Sequence, residues 1–238
     1  MNQQPNIAKL LDHALLHPTM TDQELRAGCE QARELGVATV CVKPYAIPIA
    51  REVLTGSDVG VGTVIGFPHG SSSTDVKAAE AESACRAGAA ELDMVVNVGK
   101  VLSGDWDYVK ADIQAVAVVA CSRDAVIKVI FETDYVTANE DKIRLCKICE
   151  EVGVDYVKTS TGFGFVKQPN GNYNYTGATA ADIRLMRESC GPNVGVKASG
   201  GIRTYEDAVK MRDLGATRLG TSASETIVTG QASQQEGY

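Results

Sequence analysis

The chain has 238 residues and is poor in the features that mark several classes of protein. It contains only three histidines, His13, His17 and His69, and none of them belongs to an H-E-x-x-H pattern, so a metal-dependent mechanism has few ligands to draw on. No run of about 18 apolar residues is present, which argues against a membrane span. Lys and Arg number 23 against 30 Asp and Glu, and the resulting net charge of -7 argues against a nucleic-acid-binding protein.

Disulfide and zinc signatures are also missing. The seven cysteines are odd in number and scattered along the chain, so we interpret them as reduced thiols. Cys146 and Cys149 form the one C-x-x-C, but its flanks read as an amphipathic helix and no second pair completes a zinc site. The N-terminal sequence places Asp12 and His13 inside its short apolar stretch, unlike a signal peptide. We therefore expect a cytoplasmic protein with no metal and no other cofactor.

What the chain does have is a recurring unit of helix, glycine and strand. The strand in each unit begins within a few residues of a glycine placed where a helix C-terminus favours a left-handed residue. The four clearest copies are ARELGVATVCV, CRAGAAELDMVV, CEEVGVDYVKTS and MRDLGATRLGTS, with glycines at 36, 88, 153 and 215. Further strands are predicted at 58–67, 125–133, 193–200 and near LLDHALL, which brings the count to eight.

Helix starts are predicted between these strands. Two pairs have the spacing of a capping box, in which a Thr side chain and a Glu side chain each accept a backbone N–H, and three more threonines stand at plausible N-caps. The pairs are Thr21 with Glu24 and Thr137 with Glu140, and the single N-caps are Thr74, Thr179 and Thr204.

Strict alternation of strands and helices predicts a parallel sheet with helical crossovers. Eight units in one chain of this length predict a single-domain α/β fold, the (β/α)8 TIM barrel, over residues 1–238. An open doubly wound sheet is the alternative, but no G-x-G-x-x-G follows the first strand. A polar loop is predicted at 165–177, and residues from about 230 to 238 are expected to form a mobile tail.

Charged residues stand late in four of the apolar strands, where barrels of this kind place their active sites. They are Asp93, Lys128, Lys158 and Lys197. Strand alternation puts each of them on the opposite face from its apolar neighbours, so the charges should point into the barrel. Any one could serve an internal ion pair, but three lysines and a carboxylate converging at one mouth favour a functional site.

Two lysines on adjacent strands suggest a specific chemistry. Each disfavours the other's proton and burial acts in the same direction, so one amine can be free and nucleophilic near neutral pH. Such an amine forms a Schiff base with a carbonyl, and the iminium then withdraws electrons from the adjacent carbon–carbon bond. A carboxylate and the second lysine can donate and accept the protons that the carbinolamine and enamine steps require.

Small residues follow the strands that carry these lysines. Gly162 follows Lys158, Gly200 and Gly201 follow Lys197, and Ser222 follows the last strand. Backbone N–H groups in such loops can approach an anion closely, and the loops after strands seven and eight are the usual phosphate site of this fold. The pattern predicts a phosphorylated carbonyl substrate.

The motifs ELDMVVN (91–97), VKTSTGF (157–163) and VKASGGIRT (196–204) resemble the deoxyribose-phosphate aldolase family, as does nearly the whole chain. The resemblance implies a class I aldolase that cleaves 2-deoxy-D-ribose 5-phosphate to D-glyceraldehyde 3-phosphate and acetaldehyde, in deoxyribonucleotide and carbohydrate catabolism. It implies Lys158 as the Schiff-base lysine, with Asp93 and Lys197 as proton donor and acceptor. The chain departs from some members at Phe163 and Ala223.

The departures at those two positions make phosphate binding the open part of the site. We expect backbone N–H groups at Gly162, Gly200, Gly201 and Ser222 to carry most of it, helped by Lys167 or Arg203. Three other residues have two interpretations each. Asp12 could contact the substrate or anchor the first strand, and Cys41 could line the pocket or be a buried structural thiol. Tyr238 could relay protons or belong to a disordered tail. Lys128 is expected to be a counter-charge for Asp93.

Two further hypotheses stay open at this point. One is a metal-free phosphosugar isomerase with Asp93 as its base, and the other is a barrel that binds a phosphorylated metabolite without turnover. Neither requires two inward lysines on adjacent strands. Barrels of this type commonly dimerise through their outer helices, so a homodimer is expected.

Overall fold

The computed structural model describes residues 6–230. Eight parallel strands close into one barrel. The barrel strands are β1 (Leu11–Leu15), β2 (Thr39–Val42), β3 (Gly60–Ile65), β4 (Glu91–Val95), β5 (Val126–Ile130), β6 (Tyr156–Lys158), β9 (Gly195–Ser199) and β10 (Arg218–Thr221). Their order around the barrel is β1-β10-β9-β6-β5-β4-β3-β2, and β2 pairs with β1 to complete the ring. The predicted TIM barrel and all eight predicted strands are confirmed.

Helices follow the strands and form the outer layer. They are α1 (Asp22–Leu35), α2 (Ile47–Val53), α3 (Thr74–Ala87), α4 (Val98–Leu102), α5 (Trp106–Ser122), α6 (Asn139–Val152), α7 (Ala180–Ser189), α8 (Tyr205–Asp213) and α9 (Ser224–Thr229). Short 3-10 helices occupy Ile7–Leu10 and Pro44–Ala46. None of the helices within residues 6–230 is long and apolar enough to cross a membrane.

The polar loop predicted at 165–177 contains an element that the sequence did not reveal. Two short antiparallel strands, β7 (Val166–Lys167) and β8 (Tyr173–Asn174), form a hairpin outside the barrel. The hairpin follows β6, so it stands at the carboxyl end of the barrel, where the charged residues were predicted to meet. Apart from Gly230, the expected mobile tail lies outside the described residues, and so does Tyr238.

Strand register determines which side chains share the interior. Lys158 of β6 stands directly opposite Lys197 of β9, and Asp93 of β4 stands opposite Lys128 of β5. The neighbouring Val157 and Val196 are fully buried in the main apolar core. Because alternate residues of a strand face opposite sides, this packing leaves the charged neighbours facing the barrel axis.

Helix starts agree with the sequence at some positions and differ at others. Thr21 and Glu24 form the predicted capping box, and Thr179 and Thr204 are N-caps whose side chains accept backbone N–H groups. The capping box predicted for Thr137 and Glu140 is wrong, because α6 begins only after Ala138. Ala138 has an extended backbone at φ -68° and ψ 129° and occupies the cap position, so Thr137 lies one residue too early to cap the helix.

Thr74 was predicted to be an N-cap, and this is also wrong. It is the first residue of α3, and Ser73 occupies the cap position. The Thr74 hydroxyl instead donates to Asp112 on α5 at 2.9 Å. Asp112 also receives the buried Lys77 ammonium at 2.6 Å, so a buried ion pair joins these two helices. Lys142 and Asp182 join α6 and α7 in the same way, at 2.6 Å.

Candidate active site

Asp93 is the centre of a buried cluster of charged side chains. Its Oδ2 accepts hydrogen bonds from Lys158 Nζ and Lys197 Nζ, each at 2.7 Å, and its Oδ1 accepts one from Lys128 Nζ at 2.7 Å. The four side chains come from four strands that are adjacent in the barrel, β4, β5, β6 and β9. The barrel thus brings together all four charged residues singled out from the sequence.

The cluster continues toward the amino end of the barrel. Asp12 Oδ2 lies 2.5 Å from Lys197 Nζ, and Asp12 Oδ1 lies 2.6 Å from Arg218 Nη1. Glu91 bridges Arg218 at 3.1 Å and Lys128 at 2.5 Å. Asp12 also accepts a hydrogen bond from the Thr39 hydroxyl at 2.6 Å, so it both faces the lysines and anchors β1 to β2. The contact with Thr39 supports the strand-anchor interpretation of Asp12, and its contact with substrate stays a prediction.

Glu91 and Arg218 were missed by the sequence analysis, although one signal was available. Glu91 precedes Asp93 by two residues on β4, and the period of a strand places both on the same face. Arg218 begins β10 rather than ending it. A search confined to the carboxyl ends of strands passes over such a residue.

The two central lysines have opposite pKa shifts. Burial lowers the pKa of the Lys158 amine below its ordinary value, and the nearby Lys197 ammonium lowers it further, against the pull of Asp93. Burial would also lower the pKa of Lys197, but Asp12 and Asp93 together raise it above its ordinary value. The amine of Lys158 is therefore the easier one to deprotonate, and Lys197 keeps its proton.

Asp93 and Asp12 stay ionised. Burial alone would raise the pKa of Asp93, but Lys128, Lys158 and Lys197 hold it well below its usual range. Asp12 follows the same pattern, because Lys128, Lys197 and Arg218 outweigh its burial and lower its pKa. Lys128 has a pKa well above its ordinary value, since Asp12, Asp93 and Glu91 outweigh the effect of its burial.

A cavity opens directly above this cluster. The residues predicted from the sequence that line it are Asp12, Cys41, Lys158, Gly162, Lys197, Gly200, Gly201 and Ser222. Asp93 and Lys128 are not part of the lining, but Asp93 contacts the lining residues Lys158 and Lys197, and Lys128 contacts Asp93. Tyr175 of the hairpin also lines the cavity and was missed by the sequence analysis. A tyrosine in a polar, loop-like segment carries no periodic pattern that would place it there.

One end of the cavity offers unused backbone donors. Within residues 6–230 the N–H groups of Gly162, Gly200, Gly201 and Ser222 donate to no protein acceptor. Arg203 lines the same end of the cavity, whereas Lys167 lies on the exposed hairpin strand and is not part of the lining. Of the two side chains considered for phosphate binding, the cavity includes only Arg203.

Cys41 has features of both a pocket-lining residue and a buried structural thiol. It lines the cavity, yet only 3% of its surface is exposed. Burial raises the pKa of its thiol to about 11, and the Asp93 carboxylate acts in the same direction. Since the thiolate is the reactive form, Cys41 is a poorly reactive pocket residue at neutral pH.

Glu132 supports the loop that follows Lys158. Its carboxylate accepts hydrogen bonds from the Thr161 hydroxyl and from the Thr161 N–H. It sits in the left-handed region at φ 57°, a conformation that non-glycine residues rarely adopt and that often marks functional sites. Burial raises its pKa to about 7, and Asp134 adds to the rise.

The arrangement is suited to nucleophilic chemistry on a carbonyl. The Lys158 amine, whose pKa is lowered, lines the cavity, and beside it the Lys197 ammonium lies 2.7 Å from the Asp93 carboxylate. Backbone N–H groups that can bind an anion lie at the other end of the cavity. Within the described part of the chain, no group of three or more His, Cys, Asp or Glu side chains is arranged to hold a metal ion.

A family model described as DeoC/LacD family aldolase matches residues 6–230. The chain belongs to the DeoC/LacD aldolase family. A deoxyribose-phosphate aldolase from Caldanaerobacter subterraneus subsp. tengcongensis is 49% identical to this aldolase over 224 residues, which are 94% of this chain and 92% of the relative. The resemblance predicted from the sequence motifs is confirmed.

Solved structures give the same result for the fold. QR15, an aldolase, is 37% identical, has a TM-score of 0.85 and covers 95% of this chain and 96% of its own. The tetrameric deoxyribose phosphate aldolase from Aeropyrum pernix is 29% identical, has a TM-score of 0.83 and covers 94% of this chain and 90% of its own. This aldolase therefore has the barrel of its family over nearly its whole length.

Proposed function

We propose that this aldolase reversibly cleaves 2-deoxy-D-ribose 5-phosphate to D-glyceraldehyde 3-phosphate and acetaldehyde through a Schiff base on Lys158. The observation that carries the proposal is the environment of Lys158, which lines the cavity, has a lowered pKa and shares Asp93 with Lys197. The relative from Caldanaerobacter is a deoxyribose-phosphate aldolase, which supports the choice of substrate. Family membership favours an aldolase over the isomerase and the non-catalytic barrel.

The residues divide the chemistry between them. The free amine of Lys158 attacks the C1 carbonyl, and Lys197 donates the proton with which the carbinolamine oxygen leaves as water. The iminium then accepts the electron pair of the C2–C3 bond while the proton of the C3 hydroxyl passes to the Asp93 and Lys197 pair. C3 becomes the aldehyde of glyceraldehyde 3-phosphate. The remaining enamine is protonated at C2 and hydrolysed to acetaldehyde.

The supporting residues keep this arrangement charged and oriented. Lys128 holds Asp93 at Oδ1 and leaves Oδ2 to the two reacting lysines. Asp12 holds Lys197 at 2.5 Å, which favours the ammonium form needed to donate a proton. The N–H groups of Gly162, Gly200, Gly201 and Ser222 are proposed to bind the phosphate. Phe163 and Ala223 add no charge there, which leaves Arg203 as the charged side-chain donor.

Trapping of the Schiff base tests the nucleophile. The protein is incubated with acetaldehyde, reduced with borohydride and digested, and mass spectrometry locates the modified lysine. We expect the adduct on Lys158, no adduct in K158A with the fold retained, and an unchanged adduct in K43A. Lys43 is a suitable control because it follows β2 at the same end of the barrel and donates to the His17 carbonyl. An unmodified Lys158 in the wild-type protein would exclude the Schiff-base mechanism.

Assembly and cellular context are part of the same proposal. We place the reaction in the cytoplasm, in deoxyribonucleotide and carbohydrate catabolism, and the seven free cysteines are compatible with a reducing compartment. We propose a homodimer as the working form, whereas the relative from Aeropyrum pernix is tetrameric. Sedimentation velocity over a range of concentrations distinguishes monomer, dimer and tetramer.

A further inference from the structure

The hairpin at 165–177 has no part in closing the barrel, yet it contributes a side chain to the active-site cavity. Tyr175 follows β8 and lines the cavity together with Lys158, Gly201 and Arg203. Its ring packs edge-on against Phe165 at the other end of the hairpin, with 5.8 Å between the ring centroids. Tyr173, two residues earlier, points away and is 64% exposed. One tyrosine of the hairpin thus faces the site and the other faces solvent.

The base of the hairpin is fixed in place. The Asp134 carboxylate accepts the N–H of Thr176 at 2.6 Å and the N–H of Gly177 at 3.1 Å. The Ala178 N–H donates to the Gly200 carbonyl at 3.1 Å. These bonds hold the segment that follows Tyr175 against the loop after β9.

Two glycines allow the hairpin and the loop after β9 to approach each other closely. A Cβ on Gly177 would lie 2.5 Å from the Gly200 carbonyl, and a Cβ on Gly200 would lie 2.8 Å from the Cα of Gly177. Both residues also have positive φ angles, at 73° and 88°. A side chain at either position would push the hairpin away from the loop. Tyr175 is therefore positioned beside the Gly200 and Gly201 end of the cavity, where the unused N–H groups lie.

We propose that Tyr175 is a specificity-determining residue that donates a hydrogen bond from its hydroxyl to the phosphate of the bound sugar. Within residues 6–230 this hydroxyl makes no hydrogen bond, so its donor is available to a ligand. A phenol adds a neutral donor to the backbone N–H groups and to Arg203. The inference rests on the proposed function, because it assumes that this end of the cavity takes the phosphate.

The test compares Y175F with Y173F. Steady-state cleavage is measured with 2-deoxy-D-ribose 5-phosphate and with unphosphorylated 2-deoxy-D-ribose. In Y175F the KM for the phosphorylated sugar should rise about tenfold with kcat nearly unchanged, because a hydrogen bond to a charged group is lost from both ground and transition states. Cleavage of the unphosphorylated sugar should stay the same. Y173F should match the wild-type protein with both substrates.

Binding of inorganic phosphate separates this inference from the proposed function. Calorimetric titration should show weaker phosphate binding by Y175F than by Y173F and the wild-type protein, whether or not cleavage occurs. If the wild-type protein neither cleaves the sugar nor forms the borohydride adduct, the proposed function fails while phosphate binding still tests Tyr175. Equal KM values and equal phosphate affinities for Y175F and Y173F would overturn the role of Tyr175.

Discussion

Lys158 and Lys197 carry the same functional group 2.7 Å from the same carboxylate oxygen, yet their surroundings separate their protonation states. Lys197 has a second carboxylate, Asp12, at 2.5 Å. Among residues 6–230, Lys158 forms an ion pair only with Asp93, at 2.7 Å, and it also has the ammonium of Lys197 beside it. One additional carboxylate therefore accounts for the opposite pKa shifts of the two amines, and it supports the proposed roles of Lys158 as nucleophile and Lys197 as acid.

This difference predicts the effect of removing the Lys197 charge. In K197M the pKa of Lys158 should rise, because a nearby cation is lost and Asp93 is left with one fewer partner. Less Lys158 is then neutral near pH 7. The rate of borohydride-trapped adduct formation with acetaldehyde, measured against pH, should have its midpoint at higher pH than in the wild-type protein. An unchanged midpoint would contradict this account of the Lys158 amine.

The cavity lining predicts which cation assists phosphate binding. R203A should raise the KM for 2-deoxy-D-ribose 5-phosphate by about tenfold, since a charge-assisted hydrogen bond is lost. K167A is the matched control, because Lys167 lies on the exposed hairpin strand outside the cavity. Its KM should stay at the wild-type value. The reverse ranking of the two variants would show that the hairpin brings Lys167 to the substrate.

The charged residues were predictable from the sequence because each interrupts an apolar strand. The alternation along β4, β6 and β9 places Asp93, Lys158 and Lys197 inside the barrel, and the register then brings them together. Tyr175 and Glu132 were not predictable in this way. Both stand in irregular segments, where position depends on contacts between distant parts of the chain rather than on periodicity.

At the scale of elements, the loops after β5 and β6 and the hairpin support one another. Glu132 holds the loop after β6 through Thr161, and Asp134 holds the hairpin through the backbone of residues 176 and 177. Both carboxylates belong to the segment after β5. This segment therefore positions the loop after β6 and the hairpin, which form the wall of the cavity away from the lysines. Its own residues do not line the cavity beside the lysines.

Loss of the Asp134 carboxylate should loosen the hairpin. D134A removes the acceptor of two backbone N–H groups, which should increase local opening about tenfold. Trypsin should then cleave after Lys167 correspondingly faster under native conditions. D58A is the control, since Asp58 is an exposed aspartate just before β3 at the opposite end of the barrel. Equal cleavage rates in D134A, D58A and the wild-type protein would contradict the clamp.

Glu132, which holds the loop after β6, makes the free energy of unfolding of the protein depend on pH. Burial raises the pKa of Glu132 from 4.5 to about 7, so the folded protein holds this proton where the unfolded chain has lost it. The stabilising contribution is present below pH 4.5 and is lost as the pH rises toward 7. In E132Q this loss is absent, so the free energy of unfolding of E132Q relative to wild type should increase by up to ~3 kcal/mol between pH 5 and pH 8.

Chemical denaturation at a series of pH values measures this difference. E140Q is the control, because Glu140 is exposed in the first turn of α6. The change with pH in the free energy of unfolding relative to wild type should be larger for E132Q than for E140Q. A difference from wild type that stays constant with pH for E132Q would show that the Glu132 carboxyl is ionised equally easily in the folded and unfolded states.

At the scale of the whole molecule, the barrel was predictable because its pattern repeats. Eight strands and the helices between them share one sequence pattern. A single wrong helix boundary, as at Thr137, does not change the number of predicted strands. The hairpin does not repeat and was missed. The buried charges form the second molecule-wide feature, since seven side chains from six strands, β1, β4, β5, β6, β9 and β10, make one connected network along the barrel axis.

This network predicts how the whole barrel responds to the loss of one charge. Lys128 is 1% exposed and contacts Asp93 at 2.7 Å, Glu91 at 2.5 Å and Asp12 at 3.3 Å. K128M leaves these carboxylates without their shared cation, and removing one partner from a buried ion pair costs about 3–5 kcal/mol. The exposed pair of Arg26 and Glu52, with a separation of 2.9 Å, is the control, and R26A should cost much less, because exposed ion pairs contribute little to stability. Urea unfolding of both variants measures the contrast, and similar losses would mean that water or protonation compensates the carboxylates around Lys128.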